Sequence, residues 1–319
     1  MSLSGLPVAE ITFLPLGADL NTAVYRATTS DKTPYFVKLR SGDFDETAVT
    51  VPQYLHDHGL RQIMPAHTTQ TGQLWADLPP FKVILYPFIE GKDGYERPLT
   101  DPQWLEFGTA LKQFHTAVIP TTITNSIKRE AFSPHWRDTV KLFLARIKKE
   151  TFTESVAAAT AVFLQSKQTE LHDLVQRTEQ LAQKLQANPP EFILCHADIH
   201  AWNLLITDDG TLYMVDWDTL IFAPKERDLM FVGGGLGGNG RTPQEEESLF
   251  YQGYGHTKIN PIALAYYRYE RIIEDIAIEC EQLFLSDDDG EDRIQALANM
   301  KSNFRPNGTI AVARQADKH

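Results

Sequence analysis

The pattern of apolar and polar positions changes character between residues 90 and 100. Before that point, residues 11–16, 22–28 and 35–40 are short runs rich in β-branched and aromatic side chains, parted by polar turn residues and by Pro34. Such runs predict three antiparallel strands joined by hairpins. A helix is predicted over 45–58 and stopped by Gly59, and residues 81–86 read as a further strand with 73–77 as its partner. Beyond that point, Trp104, Phe107, Leu111 and Phe114 recur at helical spacing behind a capping-box start, Thr100 to Gln103. Two or three helices follow within 135–187, another after Pro243 and a long one over 261–284, with a loosely ordered tail after Asn303. The expected fold class is α+β: an antiparallel sheet in residues 1–90, then a mostly helical part in 91–319, with the turn-rich stretch 90–94 at the junction.

Composition narrows the class. A chain of 319 residues with 42% hydrophobic and 23% charged positions can bury a core without disulfide or metal staples. Its two cysteines, Cys195 and Cys280, sit in apolar segments without metal-ligand spacing, which suits a reducing, cytoplasmic setting. No apolar run approaches the roughly 18 residues of a membrane span, and residues 1–10 lack the basic and apolar regions of an export signal, so no membrane association is expected. The net charge of −12 disfavours a phosphate-backbone partner such as nucleic acid and suits a cationic small molecule.

The chemistry is concentrated in residues 192–218. Two short apolar strands flank the turn Asp208-Asp209-Gly210, with a polar loop before the first and an acidic loop after the second. A hairpin puts both loops at one end. There His196, Asp198 and Asn203 offer a carboxylate base and an amide oxygen, while Asp216 and Asp218 offer hard oxygen ligands for magnesium. These are the parts that phosphoryl transfer needs. Upstream, Lys38 lies inside the apolar run 35–39, where its ammonium needs an anionic partner unless the strand is an exposed edge.

On the spacing from His196 through Asp198 to Asn203, followed by Asp216-Trp217-Asp218, the chain resembles the aminoglycoside phosphotransferase and choline kinase family, whose fold is bilobal and protein-kinase-like. The runs 195–201, 223–231 and 269–277 are similar to the members that act on spectinomycin, and the likeness extends over about 17–277. The resemblance implies an N-terminal nucleotide-binding lobe over 1–90, a catalytic and acceptor lobe over 91–319, and ATP with Mg2+ as cofactors. It implies Asp198 as the base, Asn203 and Asp216 as magnesium ligands, and Lys38 on the α and β phosphates, positioned by Glu46 or its rival Asp45. Gly17 and Asn21 belong to the loop over the phosphates, although a single glycine there departs from the protein-kinase pattern. The Pro87 carbonyl and the Ile89 N–H would read adenine. Asp218 is open between metal, substrate and a loop-capping role; His196 is expected to buttress its loop, while His200 and Trp202 are left open.

For the acceptor, Glu270 and Glu274 share a helical stripe with Tyr266, with Asp275 and Arg271 adjoining. They suit the ammonium groups of an aminocyclitol, or else form a solvated face with intrahelical pairs. The expected function is an ATP- and magnesium-dependent O-phosphotransferase acting on an aminocyclitol antibiotic, giving resistance. Two alternatives remain. One is a kinase for a metabolite such as choline, methylthioribose or another amino alcohol, for which Tyr251, Tyr254, Tyr266, Tyr267 and Tyr269 offer aromatic faces. The other is a nucleotide-binding pseudokinase serving as an interaction module. The glycine-rich run 233–240 is expected near the substrate.

Overall fold

The computed structural model describes residues 2–3, 6–16, 21–233, 241–285 and 291–318. Gly17 and the stretch 234–240 of the glycine-rich run lie outside the described residues. In chain order the strands are β1 (Ser2–Leu3), β2 (Leu6–Leu14), β3 (Thr22–Thr29), β4 (Pro34–Arg40), β5 (Ala76–Leu78), β6 (Phe81–Pro87), β7 (Gly91–Asp93), β8 (Ile193–Cys195), β9 (Leu204–Thr207), β10 (Leu212–Met214) and β11 (Ile221–Ala223). The helices are α1 (Thr47–Asp57), α2 (Asp101–Thr116), α3 (Thr121–Thr124), α4 (His135–Arg146), α5 (Ser155–Ser166), α6 (Gln168–Ala187), α7 (Glu226–Leu229), α8 (Pro243–Tyr254), α9 (Pro261–Leu285), α10 (Glu291–Ser302) and α11 (Thr309–Ala316). The architecture is the expected α+β, an antiparallel sheet followed by a mostly helical part. No helix among the described residues is long and apolar enough to cross a membrane.

The chain groups into two compact units, the first being Met1–Lys128, Leu194–Ile221 and Leu236–His256, the second Arg129–Ile193, Phe222–Gly235 and Thr257–His319. In the first unit the sheet order is β1-β2-β3-β4-β6-β5. β4 therefore runs centrally, with Lys38 opposite Val24 on β3 and Ile84 on β6, so the edge-strand reading of Lys38 falls away. Side chains alternate across the pleat: Val37 joins Ala27, Val83 and Leu85 in one core, each contributing roughly 1–3 kcal/mol by burial. Lys38, one residue on, shares the opposite face with Ile84, which packs on Val49 of α1.

The hairpin β9–β10 forms as its Asp-Asp-Gly turn requires, with β7 paired along the other edge of β9. α2 starts at the expected capping box, and Gln103 Nε2 also donates to the Gly210 carbonyl at 2.8 Å, anchoring the hairpin turn. α2 crosses α8 so closely that a Cβ at Gly108 would stand 2.2 Å from the Phe250 carbonyl oxygen. One at Gly253 would stand 1.9 Å from that of Leu105.

The second unit is built around α9, against which α4, α6, α10 and α11 pack. Its buried stripe includes Ala263, Tyr266, Tyr267, Ile273, Ile276 and Leu283. The expectation of a loose tail after Asn303 is corrected here. α11 buries Ile310 and Ala313 three residues apart, and Asp317 accepts from Arg177 Nε at 2.7 Å and the Tyr269 hydroxyl at 3.2 Å.

Candidate active site

Two loops leave the β9–β10 region, and the chain bends into each through a left-handed backbone position. Ala197 has φ +70° just before Asp198, and Asp216 itself has φ +61°. Each such position in a non-glycine residue costs of order 1–3 kcal/mol, a strain that folded proteins retain where a side chain must be aimed.

His196 ties the loops together. It is fully buried; its Nδ1 accepts from the Asp198 N–H at 3.3 Å, which leaves the proton on Nε2 for donation to the Val215 carbonyl at 3.0 Å. Its own carbonyl accepts from the Thr219 hydroxyl at 2.7 Å, and Trp217 packs beside its ring. This is the buttress anticipated from its place in the motif.

Asn203 completes the brace. Its Nδ2 donates to the Asp198 carbonyl at 2.7 Å and reaches the Asp198 carboxylate at 3.4 Å, while its backbone carbonyl accepts from Val215 N at 3.0 Å. Since Nδ2 does the bracing, Oδ1 is the atom of Asn203 that could accept a hard cation. Val215 immediately precedes Asp216, so this bond brings Asp216 alongside Asn203.

Lys38 reaches the same place from β4. Its Nζ pairs with Asp218 at 2.6 Å and Asp216 at 3.0 Å, and Arg40, two residues along the same strand face, pairs with Asp218 at 3.2 Å. Burial pushes the Lys38 ammonium down, but the two carboxylates outweigh it and hold the group above the ordinary lysine value. Burial pushes the Tyr86 hydroxyl up, against the pull of the same ammonium.

The structure therefore brings Lys38, Asp198, Asn203, Asp216 and Asp218 together within the first unit. It does not bring Glu46 to Lys38. Glu46 is exposed at the start of α1, and the ammonium is already held by two carboxylates distant in sequence. Asp45, the rival, is occupied in capping, its Oδ1 accepting from the N–H and hydroxyl of Thr47. Arg40 was missed by sequence reasoning, although its i+2 spacing from Lys38 on a strand was the available signal. Pro87 closes β6 and Ile89 follows it in half-buried irregular chain, while the Asn21 carbonyl accepts from Ser41 N at 2.9 Å.

The sequence matches the phosphotransferase enzyme family over residues 12–262. The chain belongs to that family. As a phosphotransferase it is also similar, at 34% identity and a TM-score of 0.90, to a solved spectinomycin phosphotransferase in complex with ADP and spectinomycin, over 99% of this chain and 95% of that one. The AMP-bound complex of spectinomycin phosphotransferase gives a TM-score of 0.86 at 34% identity, covering 98% and 95%. A Plasmodium vivax ethanolamine kinase, at 15% identity, TM-score 0.62 and coverage of 96% and 83%, shares the fold. No curated protein matches. The phosphotransferase is thus an enzyme that phosphorylates an alcohol.

The acceptor candidates of this phosphotransferase lie on α9 in the second unit, and each has an arginine partner there. Arg137 holds Glu270 in a buried ion pair, Arg227 stands 3.7 Å from Glu274, and Arg271 donates to Asp275 at 2.9 Å. Burial pushes the Glu270 carboxyl up to about 7, with Arg137 pulling the other way. Of the tyrosines considered for a cation, Tyr254, Tyr266, Tyr267 and Tyr269 are buried, and their hydroxyls meet His115, Arg137, Glu130 and Asp317 respectively, while Tyr251 is half-buried.

Proposed function

We propose that this enzyme transfers the γ-phosphoryl group of ATP, with Mg2+, to a hydroxyl of an aminocyclitol, spectinomycin or a close chemical relative, and so gives resistance to it. The observation that carries this is the meeting of Lys38, Asp198, Asn203 and Asp216 in one unit. The 34% identity to a spectinomycin phosphotransferase over nearly the whole chain narrows the acceptor.

In this reading the Asp198 carboxylate accepts the proton of the acceptor hydroxyl while that oxygen bonds to the γ-phosphorus and the bond to the bridging oxygen of ADP breaks. His196 and Asn203 hold Asp198 in its strained loop, so little reorganisation remains at the moment of transfer. Asn203 Oδ1 and the Asp216 carboxylate make a hard-oxygen donor set that fits magnesium, which when bound neutralises phosphate charge. Lys38 would turn from its carboxylates to the α and β phosphates, and Asp218 would keep Arg40 as its partner. The Pro87 carbonyl and Ile89 N–H take adenine, and Asn21, just before β3, serves the phosphates. The nucleotide-binding lobe is then residues 1–90 and the acceptor lobe 91–319. Asp275, the most exposed of the three α9 candidates, would have to exchange its Arg271 partner to meet an ammonium group.

The test is ADP release by purified protein with magnesium ATP and, in turn, spectinomycin, choline, ethanolamine and methylthioribose, with the product's phosphorylated position read by NMR. Turnover with spectinomycin is expected to exceed the others. ADP release only with choline or ethanolamine would replace this reading with a metabolite kinase, and nucleotide binding without acceptor-dependent release would make the protein an interaction module.

A further inference from the structure

The catalytic loop is buried almost throughout. Ile199, Ala201 and Leu204 are each 1% exposed or less and Asn203 is 8% exposed, yet Trp202 between them is 60% exposed. A large apolar ring left in water amid such packing invites the question of what covers it. Its neighbour gives part of the answer: Tyr95, itself 43% exposed, lies against it with ring centroids 4.8 Å apart and planes inclined by 37°.

The pair is held in place from several sides. Asp93 ends β7 and accepts from the Tyr95 and Glu96 N–H groups at 2.8 and 3.0 Å, forming a tight turn. Gly94 N donates to the Ala201 carbonyl at 2.9 Å, and a Cβ at Gly94 would stand 3.0 Å from that same oxygen, so the glycine is what lets the turn lie on the loop. Arg97 fastens the far side, donating to the Thr207 carbonyl and to Asp208 at 2.6 Å each. These bonds fix the two rings as a shelf.

The shelf connects with the reacting group. His200 stands edge-on to Trp202 with centroids 5.6 Å apart and planes at 89°, and its Nε2 lies 3.3 Å from Asp198 Oδ2. A ring resting on Trp202 and Tyr95 would lie beside the imidazole that contacts the proposed base.

We infer that Tyr95 and Trp202 form the acceptor platform, specificity-determining residues that bind the face of a saturated, amino-bearing ring. The inference rests on the reading of Asp198 as the base and deepens it. Two rings splayed at a shallow angle give a broad open face, which suits the C–H face of a cyclitol or sugar, with its ammonium groups drawn to the π-clouds. A small quaternary ammonium such as choline calls for rings that enclose it, and a shelf does not enclose.

The experiment compares the parent with Trp202→Ala, Tyr95→Ala and Trp202→Phe, measuring kcat and both KM values by ADP release with spectinomycin as acceptor. Trp202→Ala is expected to raise the acceptor KM about tenfold and Tyr95→Ala by a smaller factor, with the ATP KM changed less than about twofold. Trp202→Phe, which restores a ring face, should recover most of the loss. A rise in the ATP KM instead would assign the shelf to the nucleotide, and unchanged KM values in both alanine variants would overturn the inference. Binding is read separately by titrating spectinomycin against tryptophan fluorescence in the parent and in Trp202→Phe. Parent protein without turnover would end the proposed function, whereas a fluorescence change lost with Trp202 would still place the ring on the shelf. No change in the parent would reject the shelf for this ligand.

Discussion

Each unit contains a basic residue paired with acid, Lys38 with two carboxylates and Arg137 with one, but the two clusters are made differently. In the first, Lys38 and Asp216 have side chains 12% and 51% exposed, and the acids stand on loops with left-handed backbone positions. In the second, Arg137 and Glu270 are 2% and 8% exposed and sit on the regular helices α4 and α9, with Arg137 also donating to the carbonyls of Phe132 and Ser133. The open cluster leaves its carboxylates within reach of a solute, at the cost of backbone strain. The sealed cluster spends its hydrogen bonds on the protein itself. Like pairs of residue types can thus serve reaction or architecture, and the difference lies in reach and backbone.

Substitutions on each side sharpen this contrast. Asp198→Asn keeps the shape of the loop but removes the proton acceptor, so phosphotransfer should fall by about 10²–10⁴-fold with an unchanged thermal midpoint. Full activity in that variant would break the comparison at its first term. Arg137→Met should act the other way, leaving Glu270 buried without its partner and lowering stability by about 3–5 kcal/mol in denaturant titration, while turnover per folded molecule is retained. Adding Glu270→Gln should restore part of that stability.

A weaker effect is expected at Glu279, further along α9. Burial, reinforced by the charge of Asp275, pushes its carboxyl up to about 8, and its Oε2 is buried without a hydrogen-bond partner. Because the folded-state value is raised above the ordinary 4.5, its stabilising contribution is complete below about 4.5 and is lost as pH rises through about 8. Glu279→Gln should therefore lose less stability than the parent between about pH 5 and pH 9, by on the order of 1–2 kcal/mol in denaturant titrations at each pH. Parallel pH profiles would remove Glu279 from the sealed class. The smallest effect belongs to Asp317→Ala, which frees α11 from Arg177 and Tyr269. About 1 kcal/mol and faster proteolysis near the C-terminus are expected, with activity unchanged.

Elements set by nearby residues were legible in the chain. The hairpin around Asp208–Gly210, the capping box at Thr100 and Gln103, and the strands β3 and β4 follow from turn chemistry and periodicity over a few positions. Asp198, Asn203 and Asp216 could be singled out for the same reason, since the segments flanking one hairpin carry all three. Lys38 was legible as a lysine in need of an anion, but its counter-ions lie 178 and 180 residues away, and no local pattern points to them. Glu46 was a plausible acid on the following helix in sequence and is not a partner in space. The arginine partners of Glu270 and Glu274, on α4 and α7, were hidden for the same reason. Tyr95 carried no signal in its own segment, because its meaning comes from the turn that lays it on Trp202.

The crossing of α2 and α8 has a consequence for biosynthesis. A ribosome delivers α2 roughly 130 residues before α8, an interval of about 6–25 s at ordinary elongation rates. Throughout that interval the glycine-lined groove at Gly108 has no partner, even after the sheet, the catalytic loop and the hairpin have all emerged. The catalytic unit is therefore finished late in translation, and a nascent chain stalled before residue 243 would present that bare helix face to chaperones in place of a working enzyme.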